Sequence, residues 1–166
     1  GEDEIVIRTA EGSDAEAIAA IYNHYIENTV ITFEETPVSA EVVAGRIEAV
    51  KRLDLPWLVL EDNSAIVGYA YATRWKERIA YRHSAEVTIY LAPDRTSRGL
   101  GTQLYRALFD AIRADIHVLV GVITLPNPAS VTIHEKFGME KVAHFKEVGY
   151  KFDRWLDVGC WQKILV

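Results

Sequence analysis

Cysteine, methionine and proline are scarce in this 166-residue chain, with one Cys, one Met and five Pro. With Cys160 alone no intrachain disulfide can form, which fits a reducing cytoplasm. Five scattered histidines without a cysteine partner offer no zinc-site spacing, so no metal is expected. Positive charge is also short. Lys and Arg number 18 against 24 Asp and Glu, a net charge of −6, which argues against general nucleic-acid binding. A small anionic ligand is still compatible, because a local basic patch and backbone N–H groups can hold it against the net charge. No apolar run approaches the ~20 residues of a membrane span; the longest, around Ile116 to Ile123, is broken by His117. The opening Gly1-Glu2-Asp3-Glu4 is acidic, unlike a secretory signal or transit peptide. There is no internal repeat, low-complexity tract or Pro/Gly/Ser linker.

What is present is ordinary for a globular chain: 49% apolar and 25% charged residues. The length suits one domain of the usual ~100–200 residues, read here as residues 1–166. A chain of this size can bury roughly 70% of its unfolded surface without a disulfide or metal.

Ile5 to Arg8 reads as a short strand. Ser13 with Glu16 three residues on reads as a capping box, and Ile18, Ile21, Tyr22, Tyr25 and Ile26 mark one helical face. Thr29 to Phe33 is β-branched and expected to be extended. Ser39 caps a second helix running to about Arg52. Pro56–Glu61 and Ala65–Thr73 read as a hairpin around Asp62-Asn63-Ser64, and Ser84–Leu91 as a further strand. Leu104, Ala107, Leu108, Ala111 and Ile112 carry helical spacing, and His117–Thr124 is a buried strand. Asn127 is a good N-cap and Pro128 a good first residue for a short helix ending at Gly138. Lys141–Val148 and Trp155–Leu165 close the chain as strands. The predicted order is β, α, α, β, β, β, α, β, α, β, β, an α/β domain with a mixed, mostly antiparallel sheet flanked by helices.

Between the Ser84–Leu91 strand and the helix that follows lies Arg95-Thr96-Ser97-Arg98-Gly99-Leu100-Gly101-Thr102. Glycines there let backbone N–H groups approach phosphate oxygens, and a helix N-terminus adds partial positive charge. A chance Gly-x-Gly turn fits the same residues. No Gly-Lys-Ser/Thr follows, so this is not a P-loop, and no third glycine completes a dinucleotide fingerprint. A nucleotide-containing ligand of another kind is what the loop would take.

Four runs occur in order: Glu86-Val87-Thr88-Ile89-Tyr90, Arg98-Gly99-Leu100-Gly101, Leu125-Pro126-Asn127-Pro128-Ala129-Ser130, and His134-Glu135-Lys136-Phe137-Gly138-Met139. In these the chain resembles the GCN5-related N-acetyltransferases. Further runs are similar to the phosphinothricin and methionine sulfoximine/sulfone branch: Tyr22-Asn23-His24-Tyr25, Trp75-Lys76 with Tyr81, Val148-Gly149-Tyr150-Lys151-Phe152, and Trp155-Leu156-Asp157-Val158-Gly159. The resemblance spans about Ile5 to Leu165. One departure stands out. The superfamily loop usually carries Gln or Arg three residues before its first glycine; here Thr96 holds that place, with Arg95 displaced by one, so weaker or rearranged binding is expected.

The resemblance implies acetyl-CoA beside Ile89, Tyr90 and Leu91, its pantetheine paired to strand backbone as an added strand would be. Its pyrophosphate would sit on amides of Ser97, Arg98, Gly99, Leu100, Gly101 and Thr102. Asn127 would bond the pantetheine, with Ser130 near the thiol end; a plain helix cap is the other role open to Asn127. The reaction needs a neutral amine, so a base must take its proton. Glu86 is the candidate, with Thr88 and Tyr90 on its own face of the strand. His134, in the leaving-sulfur position, would protonate the thiolate or assist the amine, or simply pack. Arg74, Trp75, Lys76 and Arg82 would face the amino acid, an arginine holding its carboxylate; a solvated loop is the alternative. Phe33 is expected to line the same pocket with Glu86 and Thr88. Tyr150, Lys151 and Trp155 would reach a partner's site, because relatives are dimers.

The expectation is therefore a cytoplasmic, homodimeric enzyme that acetylates the α-amine of a small amino acid such as phosphinothricin, methionine sulfoximine or methionine sulfone. It would have neither a nucleic-acid nor a membrane partner. The alternatives are a protein or peptide N-terminal acetyltransferase and a CoA-binding regulatory module without turnover. Polyamine acetylation would want an acidic pocket, which the basic Arg74–Arg82 stretch does not offer.

Overall fold

Strands and helices follow one another as the sequence predicts. A computed structural model describes residues 4–96 and 99–166. Its strands are β1 (Ile5–Thr9), β2 (Trp57–Asp62), β3 (Ala65–Arg74), β4 (Ser84–Leu91), β5 (Val118–Leu125), β6 (Glu140–Lys151) and β7 (Arg154–Ile164). Its helices are α1 (Ala15–Asn28), α2 (Ala40–Arg52), α3 (Leu100–Asp110) and α4 (Pro128–Lys136). The strands form a seven-stranded mixed sheet in the order β1-β2-β3-β4-β5-β7-β6. The β4–β5 pair is parallel; β1–β2, β2–β3, β5–β7 and β6–β7 are antiparallel. No helix among the described residues is long and apolar enough to cross a membrane.

Two local readings change. The first helix does not begin on a Ser13–Glu16 box. Gly12–Asp14 forms a 3₁₀ turn, and the Asp14 carboxylate accepts the Glu11 N–H at 2.7 Å. Asp14 is fixed there by a two-pronged ion pair with Arg8, 2.8 Å on each oxygen, and that charge holds its carboxyl below the usual range. Thr29 to Phe33 is not a strand. Thr29 Oγ1 donates to the Tyr25 carbonyl at 2.7 Å and accepts the Ile31 N–H at 3.1 Å, local bonds that compete with sheet pairing.

The chain groups into two compact units. Gly1–Asn23, Val38–Thr73 and Thr88–Arg113 form one. In it β1, β2 and β3 form an antiparallel ladder, with Ile7 opposite Leu60 and Leu58 opposite Ala70. Asn63 and Ser64 both take positive φ, 52° and 73°, as a two-residue hairpin turn requires. Ser39 Oγ accepts the Val42 N–H and so caps α2 as expected. Leu60, Leu104 and Leu108 are fully buried here, and each contributes roughly 1.5–3 kcal/mol through burial. Aromatic rings run from Trp57 over Tyr71 (4.1 Å) and Tyr69 to Tyr90, which Tyr22 meets edge-on at 5.3 Å.

His24–Pro37, Arg74–Val87 and Ala114–Val166 form the second unit. β5 is its central strand, with β7 along one edge and the first residues of β4 along the other. Register assigns its two faces. Glu86 is paired with Val120, Val122 with Cys160, Thr124 with Val158, and Leu156 with Gly149. Alternate residues of paired strands share a face, so these side-chain positions lie on one side of the sheet. Gly121, Trp161 and Ile123 lie on the other. α4 packs there, tied by Trp161 Nε1–H donating to the Glu135 carboxylate at 3.1 Å.

Candidate active site

The β4–β5 ladder joins Ser84, Ala85 and Glu86 to Val118, Leu119 and Val120. Among the described residues no β4–β5 pair follows Glu86–Val120, although β5 continues against β7 to Leu125. Glu86 thus stands at the last rung. Its flanking residues Ala85 and Val87 are buried, while Glu86 itself is half-buried. Burial pushes its carboxyl above the ordinary 4.5, and the Lys76 ammonium draws it partly back. Lys76 lies over the Trp75 ring at 4.6 Å, and the Trp75 N–H reaches the Ser84 carbonyl at 3.4 Å, two residues before Glu86. Burial, with the Glu86 charge adding to it, raises the Cys160 thiol, which therefore stays protonated.

His134 occupies the opposite face. It is 4% exposed, and its Nδ1–H donates to the Ser130 carbonyl at 2.7 Å, with Ser130 Oγ at 3.4 Å. That bond fixes the tautomer, so in the neutral ring Nε2 carries the lone pair. Burial lowers the imidazole below its ordinary 6.5, which keeps it neutral at pH 7. The ring edge rests on Gly121: a Cβ there would lie 2.7 Å from His134 Cδ2 and 2.9 Å from Nε2. Gly121→Ala should therefore cost about 1–3 kcal/mol of stability, the usual range for overpacking. A thermal melt showing no loss would mean that the ring swings aside freely.

The expected substrate residues separate into groups. Trp75 and Lys76 lie at the Glu86 end of β4. Arg74 ends β3 and pairs with the exposed Glu77 at 3.2 Å. Arg82 follows a 3₁₀ turn and donates to the Ile79 carbonyl at 3.2 Å. Phe33 is placed over the β6 strand. Its ring lies on Gly149 of β6, where a Cβ would overlap it. That is three strands from β4, roughly 14 Å at ~4.8 Å per strand. Lys151 does not reach outward either. It is 2% exposed, and its Nζ donates to the Thr32 carbonyl at 2.8 Å. Of the three residues expected to reach a partner, Tyr150 and Trp155 are exposed.

The expected cofactor residues fall in both units. Asn127 Oδ1 accepts the Ser130 N–H at 3.2 Å and so caps α4. Thr88, Ile89, Tyr90 and Leu91 are half-buried on β4. A Cβ on Gly68 would lie 2.6 Å from Leu91 Cδ2, so the Leu91 side chain serves packing, and a ligand would meet this strand through its backbone. Ser97 and Arg98 lie outside the described residues. Gly99 is the N-cap of α3 at φ 72°, a left-handed conformation that favours glycine. Among the described residues, its chain neighbours aside, no heavy atom stands within 4 Å of where its Cβ would be. Leu100, Gly101 and Thr102 follow as the first turn of an 11-residue helix. An open glycine cradle before a helix N-terminus fits a pyrophosphate. Arg95 is not part of that cradle: it faces the buried Asp62 at 3.6 Å and Asp94 at 3.5 Å.

The model of the acetyltransferase (GNAT) domain family matches residues 7–159. The chain belongs to the GNAT acetyltransferases. Among curated relatives, this GNAT chain is 35% identical over 159 residues to the L-methionine sulfoximine/L-methionine sulfone acetyltransferase of Salmonella typhimurium, covering 95% of this chain and 93% of that one. A solved phosphinothricin acetyltransferase from Sinorhizobium meliloti, in complex with acetyl-CoA, superposes with a TM-score of 0.91. It is 32% identical, over 97% of this chain and 88% of that one. A ribosomal-protein-alanine N-acetyltransferase from Brucella melitensis superposes at 0.92, with 37% identity over 96% and 99%. Sequence reading missed Gly121, which makes room for His134; a lone glycine inside the β-branched Val118–Leu125 run was its signal.

Proposed function

We propose that residues 1–166 form one N-acetyltransferase domain that moves an acetyl group from acetyl-CoA to the α-amine of a small amino acid of the phosphinothricin, methionine sulfoximine or methionine sulfone type. The observation that carries this is Glu86: a half-buried carboxylate with a raised pKa at the last rung of the β4–β5 ladder. Bound acetyl-CoA supplies the thioester. Gly99, Leu100, Gly101 and Thr102 would hold its pyrophosphate, and the backbone of Ile89, Tyr90 and Leu91, with Asn127, its pantetheine. Glu86 takes the proton of the substrate ammonium, directly or through a water, and the freed amine attacks. On the other face His134 is neutral with its lone pair on Nε2, so it serves as a hydrogen-bond acceptor or proton carrier and not as a resident cation. Ser130 sets the direction of that ring. Arg74 or Arg82 holds the substrate carboxylate, with Trp75 as a wall.

The names of the sulfoximine/sulfone and phosphinothricin relatives support the amino-acid reading. The ribosomal-protein-alanine enzyme supports the rival, a protein N-terminal acetyltransferase. A regulatory module without turnover would leave the desolvated Glu86 unused. We place the enzyme in the cytoplasm, consistent with its single buried cysteine, and as a homodimer. β6 is one of the sheet's two edge strands, and Val142, Phe145, Val148, Tyr150 and Trp155 are each at least half exposed on its hairpin. A second copy would cover them.

The deciding experiment follows thiol release from acetyl-CoA with L-methionine sulfone beside an alanine-terminal peptide. Faster turnover of the peptide would replace the amino-acid reading. The cofactor assignment has its own check. Gly101→Val puts a branched side chain in the first turn of α3, where backbone is to meet phosphate. The variant should fold and titrate CoA more weakly by calorimetry, and unchanged affinity would make the loop a turn only.

A further inference from the structure

Lys141, His144 and Asp157 form a chain of hydrogen bonds on the β6–β7 hairpin that the chemistry above does not use. Lys141 Nζ lies 2.8 Å from His144 Nδ1, and His144 Nε2 lies 2.7 Å from Asp157 Oδ2. An ammonium only donates, so Nδ1 accepts. The neutral ring then carries its hydrogen on Nε2, which donates to the carboxylate. The other carboxylate oxygen, Oδ1, accepts the Glu147 N–H at 2.9 Å. Asp157 is thus held through both oxygens, and these bonds, that from His144 foremost, keep its carboxyl below the usual range. The imidazole is fixed in one tautomer with its lone pair on the lysine.

A regular strand would not bring these residues together. Side chains three apart on a strand face opposite sides of the sheet. Here Lys141 is paired with Trp161 and Ala143 with Cys160, so Val142 is an extra residue, a bulge. It turns Lys141 and His144 to one face. Asp157 shares that face, two residues before Gly159, the partner of His144. This is the α4 face, opposite Glu86. A second irregularity, between Phe145 and Gly149, presents the Glu147 N–H to Asp157. Lys141 and His144 are exposed, so the amine is open to a small reagent in solution.

We propose that Lys141 is a self-acetylation site that takes acyl thioesters directly, apart from the Glu86 site, with His144 as its base and Asp157 as the residue that positions that base. Carboxylate, imidazole and nucleophile stand in the order that activates a nucleophile by an oriented base. His144 Nδ1 takes one proton from the ammonium, and Asp157 stabilises the imidazolium. The free amine adds to the thioester carbonyl carbon. A carbon–nitrogen bond forms and the carbon–sulfur bond breaks. The electron pair leaves on sulfur, which receives the proton held by His144, and the second nitrogen proton goes to water. Acetyl-CoA, which these acetyltransferases use, supplies the thioester. The product is a neutral amide, so the chain loses the positive charge that now lies 5.4 Å from the Trp161 ring. None of this depends on which amine the Glu86 site takes.

The test incubates the purified chain with acetyl-CoA and no amine substrate, and reads acetylation at each lysine by mass spectrometry. Lys146, exposed on the same strand, is the internal reference. Lys141 should be acetylated on the order of a hundredfold faster than Lys146, the lower end of what a general base contributes. His144→Gln should bring Lys141 down to the Lys146 rate. Asp157→Asn keeps an oxygen for the Glu147 N–H but offers His144 an N–H in place of the carboxylate. It should slow Lys141 at least tenfold, and it serves as the second variant should His144→Gln fail to fold. A short acetyl thioester without the nucleotide should label Lys141 as well, and Glu86→Gln should label at the wild-type rate. A Lys141 rate equal to that of Lys146 overturns the proposal, as does an unchanged rate in a folded His144→Gln or Asp157→Asn. Loss of the label in Glu86→Gln overturns it too, because Lys141 would then be a substrate of the Glu86 site in another copy.

Discussion

Replacing Glu86 by Gln is expected to lower kcat/KM about 10²–10⁴-fold, the usual contribution of a general base, with CoA affinity nearly kept. The amide preserves the shape of the side chain at the last β4–β5 rung and removes only its basicity. The pH profile adds a second reading. Burial holds the Glu86 carboxyl above its ordinary 4.5, so wild-type kcat/KM should rise with pH through a limb set above that value, and the limb should vanish in the variant. Stability should move the other way. Between 4.5 and its folded pKa, Glu86 binds a proton in the folded chain that the unfolded chain has released. Folding stability therefore falls as pH rises through that window. Glu86→Gln removes this penalty and should melt at a higher temperature than the wild type at pH 7. Wild-type-like turnover by the variant across pH 6–9 would take Glu86 out of the mechanism; an unchanged melting temperature would mean that its burial costs nothing.

The sign for His134 is opposite. Its folded pKa lies below the ordinary 6.5, so the unfolded chain binds the extra proton, and this histidine withdraws stability as pH falls from about 6.5 toward its folded value. The fold thus holds an acid-sensitive group and an alkali-penalised one on opposite faces of adjacent β5 residues, Val120 and Gly121.

Much of this arrangement is legible in the residues. Ser39, Asn127 and Pro128 are local signals that act within one turn, and α2 and α4 start where those signals place them. Of the apolar residues that follow Glu86 in the strand, Val87 is buried and Ile89 is half-buried. What the sequence hides depends on long-range partners. Ser13 looks like a cap until Arg8 is seen to fix Asp14 in that place. Thr29 to Phe33 has the composition of a strand, but Thr29 turns back on Tyr25. Lys151 is expected to reach toward a partner, because nothing nearby in the chain announces that the Thr32 carbonyl, 119 residues away, will accept its hydrogen bond. Phe33 illustrates the same limit: its ring needs a glycine beneath it, and Gly149 supplies one from the far edge of the sheet.

A free α-carboxylate should be close to essential for a substrate. Arg74 and Arg82 bracket the β3–β4 connection that leads to Ser84 and Glu86. A carboxylate held by a guanidinium is a charge-assisted, two-pronged contact, stronger than a neutral hydrogen bond. Both arginines are exposed; Arg74 pairs with Glu77, itself 92% exposed, and Arg82 donates to the Ile79 carbonyl. An exposed pair such as Arg74–Glu77 is worth ~0–1 kcal/mol, so exchanging it for a substrate carboxylate costs little. Losing the carboxylate leaves the guanidinium without its charged partner in the complex, a loss of about 1.5–3 kcal/mol, or roughly ten- to a hundredfold in kcat/KM. L-methionine sulfone should be acetylated well, and the matching amine without its carboxylate poorly. Arg74→Ala and Arg82→Ala, made separately, identify the responsible arginine by raising KM for the amino acid while acetyl-CoA kinetics stay fixed. A decarboxylated amine acetylated as fast as the amino acid would reduce this stretch to a solvated loop. It would also return the peptide substrate, whose amine is followed by an amide and not by a carboxylate, to first place.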